Sequence, residues 1–113
     1  MNLTIVEQSE HLTILGLDGS LNLAGADQIK AQFLALTAAQ KKSAIVDFSK
    51  VDFVASMGMR LLIEATKPLA REGKKLIVLN PQPEVDKVLE AAGMTNVLAI
   101  AHSEADAREL ARG

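Results

Sequence analysis

Apolar positions along the chain fall in short runs, and the runs alternate between strand-like and helix-like spacing. Leu3 to Val6 (LTIV) predicts a strand, the polar Gln8 to Glu10 a turn, and His11 to Leu17 a second strand paired antiparallel with the first. Within the second run Leu12 and Ile14 share one face while Leu15 and Leu17 share the other. A strand covered on both sides reads this way, and so does one bulged near Gly16. Asp18-Gly19-Ser20 signals another turn, followed by a short extended piece at Leu21. Asn22 is placed to cap a helix from about Ala24 to Ala38, with Ala26, Ile29, Phe33 and Leu36 at helical spacing and Lys30 and Gln32 outside.

Ala44 to Phe48 (AIVDF) predicts a buried strand. Ser49 to Asp52 is polar, and Phe53-Val54 is apolar again. From Met57 the period is helical, with Met59, Leu62, Ile63, Thr66, Leu69 and Ala70 on one stripe and Glu72-Gly73 as the stop. Pro68 predicts a kink or a break in that helix, because an interior proline removes a hydrogen bond at a cost of about 3 kcal/mol. Lys75 to Leu79 is a further strand, ended by Asn80-Pro81. Pro83 opens a helix to about Ala92 with Val85, Val88 and Leu89 inward and Gly93 as its stop. Val97 to Ile100 predicts a last short strand, and Ser103 caps a final helix over Glu104 to Ala111.

Strands alternating with helices predict parallel strands joined by right-handed crossovers, and the opening hairpin makes the sheet mixed. The expectation is one α/β domain over residues 1–113, with four to six strands. Composition narrows the function. The chain has no cysteine, so disulfide and thiolate chemistry are excluded. MNLTIVEQSE lacks the pattern of a signal peptide, and no apolar run nears the roughly 20 residues of a membrane span. With a net charge of −2, interspersed charges and only three Phe as aromatics, no nucleic-acid stripe, stacking platform or polybasic membrane anchor is present in the sequence.

The stretch from Asp47 to Arg60 carries the candidate chemistry. A buried strand ends there and a helix begins at once, which puts Ser56 at a helix N-cap, where unpaired amides and the helix dipole favour an anion. A phosphate on Ser56 would meet those donors. Gly58 leaves room for its approach or serves packing, and Arg60, one turn in, can pair with the phosphate or with a partner's carboxylate. Against this stands the commoner role of a capping serine, which is only to cap.

The segment Val51-Asp52-Phe53-Val54-Ala55-Ser56-Met57-Gly58-Met59-Arg60-Leu61-Leu62 resembles the signature of the STAS domain, the family of anti-sigma-factor antagonists. Leu17 to Asn22 is similar to that family's Gly-x-Leu-Asp segment. Ile45 to Ser49, Leu76 to Pro81 and Val88 to Met94 resemble its central strand and its later strand and helix. The resemblance implies a cytoplasmic partner switch. The unphosphorylated antagonist binds an anti-sigma factor that is, or works with, a serine kinase; phosphorylation ends binding and a serine phosphatase restores it. By position the acceptor is Ser56, and Asn22, Asp47, Ala55, Met57, Gly58, Met59 and Arg60 form its surroundings and the partner-contact region. The resemblance assigns no catalysis, cofactor or metal to this chain, and it leaves open whether the protein is a monomer or a weak dimer. Two positions depart from the family pattern: Ala55 and Asn22 stand where acidic residues are usual. Met57 replaces the second Ser/Thr, so Ser56 is the only hydroxyl in the motif.

Other chemistry is poorly supported. His11 and His102 lie in no catalytic motif, and Ala-Ser-Met-Gly is not a nucleophile elbow. Asp47 lacks the acidic neighbours of an aspartyl-phosphate site and is expected to cap the loop or orient Ser56. No ligand cluster suggests a metal, and no glycine-rich loop suggests a nucleotide. The alternative is an unphosphorylated STAS-like adaptor, a subunit of a larger complex such as a lipid-transport or signalling assembly.

Overall fold

A computed structural model describes residues 1–112. Five strands, β1 (Asn2–Gln8), β2 (Leu12–Leu21), β3 (Ser43–Val54), β4 (Leu76–Leu79) and β5 (Ala99–Ala101), form one sheet in the order β1-β2-β3-β4-β5. The β1–β2 hairpin is antiparallel and every other pair is parallel, as the sequence predicts. Four helices accompany them: α1 (Leu23–Leu36), α2 (Ser56–Arg71), α3 (Pro83–Ala91) and α4 (Glu104–Arg112).

Strand parity divides the core into two layers. In β3, Ala44, Val46 and Phe48 face the larger layer, with Ile29 and Phe33 of α1, Leu62 and Leu69 of α2, and Val85 and Leu89 of α3. Ile45 points the other way and joins Ile14, Ile77, Leu79 and Ala101 under Ala107 of α4. The three crossover helices therefore share one face of the sheet, and α4 covers part of the other. Arg108 pins α4 to β1: its guanidinium donates to both Glu7 carboxylate oxygens, at 2.8 and 3.2 Å, and to Glu104 at 3.1 Å. Such a bidentate pair fixes geometry as well as charge. The hydrogen bonds from Arg108 hold the Glu7 carboxyl below its ordinary value.

Several expectations are corrected. The extended piece at Leu21 belongs to a continuous β2, and the polar Ser49 to Asp52 lies inside a single β3. Each strand sustains the other, because the pair runs on through two register shifts as far as Leu21 and Val54. Pairing thus overrides the local turn signals of both segments. Of the kink or break expected at Pro68, the break does not occur: α2 runs through it, with the flanking Ala65, Thr66 and Leu69 buried and holding its last turns to the core. It ends where expected: Gly73, at φ 69°, donates to Ala70 and Lys74 to Leu69, a Schellman closure. Val88 and Ala70, read as inward, are exposed. The last strand is Ala99–Ala101, because Met94–Asn96 forms a 3₁₀ turn ahead of it.

Candidate functional site

Helices α1 and α2 both start at the far end of the β2–β3 pair. Leu21, the last residue of β2, pairs with Val54, the last of β3, and the Ala55 amide donates to the Leu21 carbonyl at 3.0 Å. The Ala55 carbonyl then takes the first helical bond from Met59, at 3.1 Å. Ala55 is therefore the N-cap of α2, and Ser56 is its first helical residue. This corrects the placement of Ser56 as the cap by one position. Serine is favoured as a cap and alanine disfavoured, so local preference pointed one residue too far. Sheet pairing of Val54 sets the boundary instead.

The consequence is an open helix start. Ala55 has no side-chain oxygen to offer, and the first turn of α2 carries no acidic residue. The amides of Ser56, Met57 and Gly58 precede the first intrahelical acceptor and form the positive end of the helix dipole. Ser56 itself is exposed. The polar contacts of the neighbourhood are made by other groups: Ser20 Oγ donates to Asp52 Oδ1 at 2.7 Å, and the Gly25 amide donates to Asn22 Oδ1 at 2.8 Å. The Ser56 hydroxyl is left to solvent.

The residues grouped with Ser56 do not all gather around it. Met57 (37% exposed) and Arg60 are on the surface, while Met59 is half-buried and packs on the core. Asn22 is close in the fold as the cap of α1, one residue beyond Leu21. Gly58 is buried, and its missing side chain makes room for Leu21 rather than for a phosphate. A Cβ there would lie 2.5 Å from the Leu21 carbonyl oxygen and 2.6 Å from its Cγ. Asp47 is not brought to Ser56. Six residues of β3, roughly 20 Å of strand, separate it from Val54. It accepts from the Ser49 amide at 2.9 Å and so shapes its own strand instead of orienting Ser56.

Sequence reasoning missed Leu23 and Phe53, which are 57% and 53% exposed. With Met57, each stands two residues along the chain from the Leu21–Ala55 junction, so three exposed apolar residues flank the open helix start in sequence. Strand alternation gave no signal for Phe53. The register shift that pairs Gly19 with Val51 and Ser20 with Phe53 turns the ring outward. His11 is exposed at the foot of β2, and His102 sits 3.2 Å from Asp86, so neither serves Ser56 as a base. No cluster of three or more metal-ligating side chains occurs among the described residues.

An open α/β sheet holds a cofactor in the crevice where its strand order reverses. Here β2 to β5 follow one another without reversal. The architecture defines a class of domain: a mixed five-stranded sheet whose crossover helices share one face, with the start of α2 left uncapped. That class is also its family: the STAS domain model matches residues 4–107, and the chain belongs to the STAS domain family. A Bordetella bronchiseptica protein described as a candidate anti-sigma factor antagonist, BtrV, is 26% identical over 103 residues, covering 91% of this chain and 88% of its own. Among solved structures, a Thermotoga maritima protein described as a candidate anti-sigma factor antagonist shares the fold with a TM-score of 0.83 at 19% identity, over 99% of this chain and 94% of that one. The Bacillus protein SpoIIAA, at 22% identity, is similar in its unphosphorylated form, described as an anti-sigma factor antagonist (TM-score 0.78, 99% of this chain, 97% of that one). It is also similar in its phosphorylated form (TM-score 0.69, 96% and 97%).

Proposed function

We propose that this protein is an anti-sigma-factor antagonist that binds its anti-sigma partner through the surface around Ser56 and is released when Ser56 is phosphorylated. The observation that carries the reading is an exposed, uncommitted hydroxyl at an uncapped helix start, bordered by Leu23, Phe53 and Met57. That the named relatives are described as anti-sigma factor antagonists, one of them solved in a phosphorylated form, supports it. Kinase and phosphatase activities belong to other proteins in this scheme, and this chain supplies the acceptor and the docking surface.

The mechanism is electrostatic. A phosphate adds about −1.5 to −2 charges and three acceptor oxygens. Docking the apolar border would strip water from that dianion, and desolvating an unpaired charge costs several kcal/mol. Since each 1.4 kcal/mol is a factor of ten, the expected loss of affinity is about 100-fold or more, with no change of fold. Ala55 and Asn22 put no carboxylate at those two positions, the Asp52 carboxylate of the same neighbourhood accepts from Ser20 Oγ, and Arg60 remains available to an acidic partner group.

The test is capture of the anti-sigma partner from the native cells by wild type, Ser56→Ala and Ser56→Asp. Ser56→Ala should retain the partner and escape regulation, whereas Ser56→Asp should lose it. Equal capture by wild type and Ser56→Asp would contradict the switch and support a constitutive adaptor.

A further inference from the structure

The end of the sheet opposite Ser56 carries a second concave site. A cavity of about 420 Å³ opens between the foot of β2, the loop before β4 and the last turn of α4. It is lined by His11, Leu12, Lys74, Arg108, Ala111 and Arg112. That volume lies in the range of small-molecule sites. Among the described residues no carboxylate lines it, and the charges that do are all of one sign. Arg108 is immobilised from outside the cavity by Glu7 and Glu104. Arg112 has only one exposed contact, 3.4 Å from Glu109, and Lys74 takes part in no ion pair among the described residues. The floor is apolar: Leu12 and Ala111 continue the core layer beneath α4.

We infer that this cavity binds a small amphiphilic anion, a carboxylate on a short aliphatic body. Lys74 and Arg112, the latter exchanging its exposed contact with Glu109, hold the carboxylate, with Arg108 as a fixed wall, and the aliphatic part lies on Leu12 and Ala111. Cations alone would suit any anion and an apolar floor alone any oil. Their arrangement around one cavity selects a molecule with both parts. The inference is independent of Ser56 phosphorylation, because it rests on residues at the other end of the sheet.

Amide chemical shifts of the whole protein test it, with hexanoate, hexanol and inorganic phosphate titrated separately. Hexanoate should move the His11, Leu12, Lys74 and Ala111 amides to saturation with a Kd of about 1 mM, the affinity of a ligand of this size at ordinary efficiency. Hexanol and phosphate should each bind at least about fivefold more weakly, since each lacks one half of the recognition. The Lys74→Gln, Arg112→Gln double variant should lose about fivefold or more of the hexanoate affinity. Both side chains are exposed, so its spectrum away from the cavity should be unchanged. Ala111→Leu, which fills the floor and removes no charge, should weaken hexanoate as well. Non-saturating shifts, equal binding of hexanol or of phosphate, or full hexanoate affinity in the folded double variant would each overturn the assignment.

Discussion

Helices α1 and α2 begin within two residues of the same backbone junction, yet one start is sealed and the other is open. At α1, Asn22 caps with its side chain and Gly25 sits so tightly that an added Cβ would lie 2.1 Å from the Ser20 carbonyl oxygen. At α2, Gly58 is packed on Leu21 in the same manner, but Ala55 supplies no cap and Ser56 points to solvent. Both helices are anchored by a glycine against the sheet; only α1 has a first-turn amide, that of Gly25, satisfied by a side chain. The lesson is that anchoring and capping are separable. A helix held in place by a close backbone contact can dispense with its cap and keep its positive end free for an anion.

That contrast can be broken in order of expected effect. Gly25→Ala drives a Cβ into backbone that cannot yield and should cost about 3 kcal/mol or more; Gly58→Ala, whose clash is shared with the Leu21 side chain, should cost about 2 kcal/mol. Urea denaturation midpoints check both, and a neutral result at either position would refute the anchoring role. Removing the α1 cap with Asn22→Ala should cost about 1 kcal/mol, while Ala55→Asp, which gives α2 the cap it lacks, should stabilise by a similar amount. Opposite signs in thermal melts are the signature of one closed and one open start; destabilisation by both would refute it.

A smaller effect sharpens the comparison by locating pH sensitivity away from either helix start. The hydrogen bonds from Arg108 depress the Glu7 carboxyl below its ordinary value of 4.5. A depressed carboxyl contributes stability that is complete above the unfolded value and fades as pH falls through the folded one. Stability measured from pH 7 down to pH 3 should therefore fall less steeply in Glu7→Gln than in wild type below about pH 4.5. Parallel curves would show that the pair is energetically silent.

Much of the fold was legible because its strongest signals are local. The all-apolar Leu76–Leu79, the Pro83 start, the Gly73 stop and the Ser103 cap, which accepts from the Asp106 amide at 3.1 Å, each act within a few residues. The errors cluster where pairing between distant segments decides. The continuous β3, the outward turn of Phe53 and the cap position of Ala55 all follow from the long β2–β3 ladder, which no window of either strand reveals. The site was legible as a serine at a helix start. Its apolar border was not, because Leu23 arrives from another element and Phe53 is turned out by a register shift. Asp47 was grouped with Ser56 by nearness in sequence, and an extended strand carries residues apart faster than any other element.

The most direct measurement is the affinity of the anti-sigma partner for the protein carrying one phosphate on Ser56, beside the unmodified protein, by calorimetry at one salt concentration. A fall of about 100-fold or more with an unchanged fold is the expected result. Equal affinities for the two forms would contradict the account.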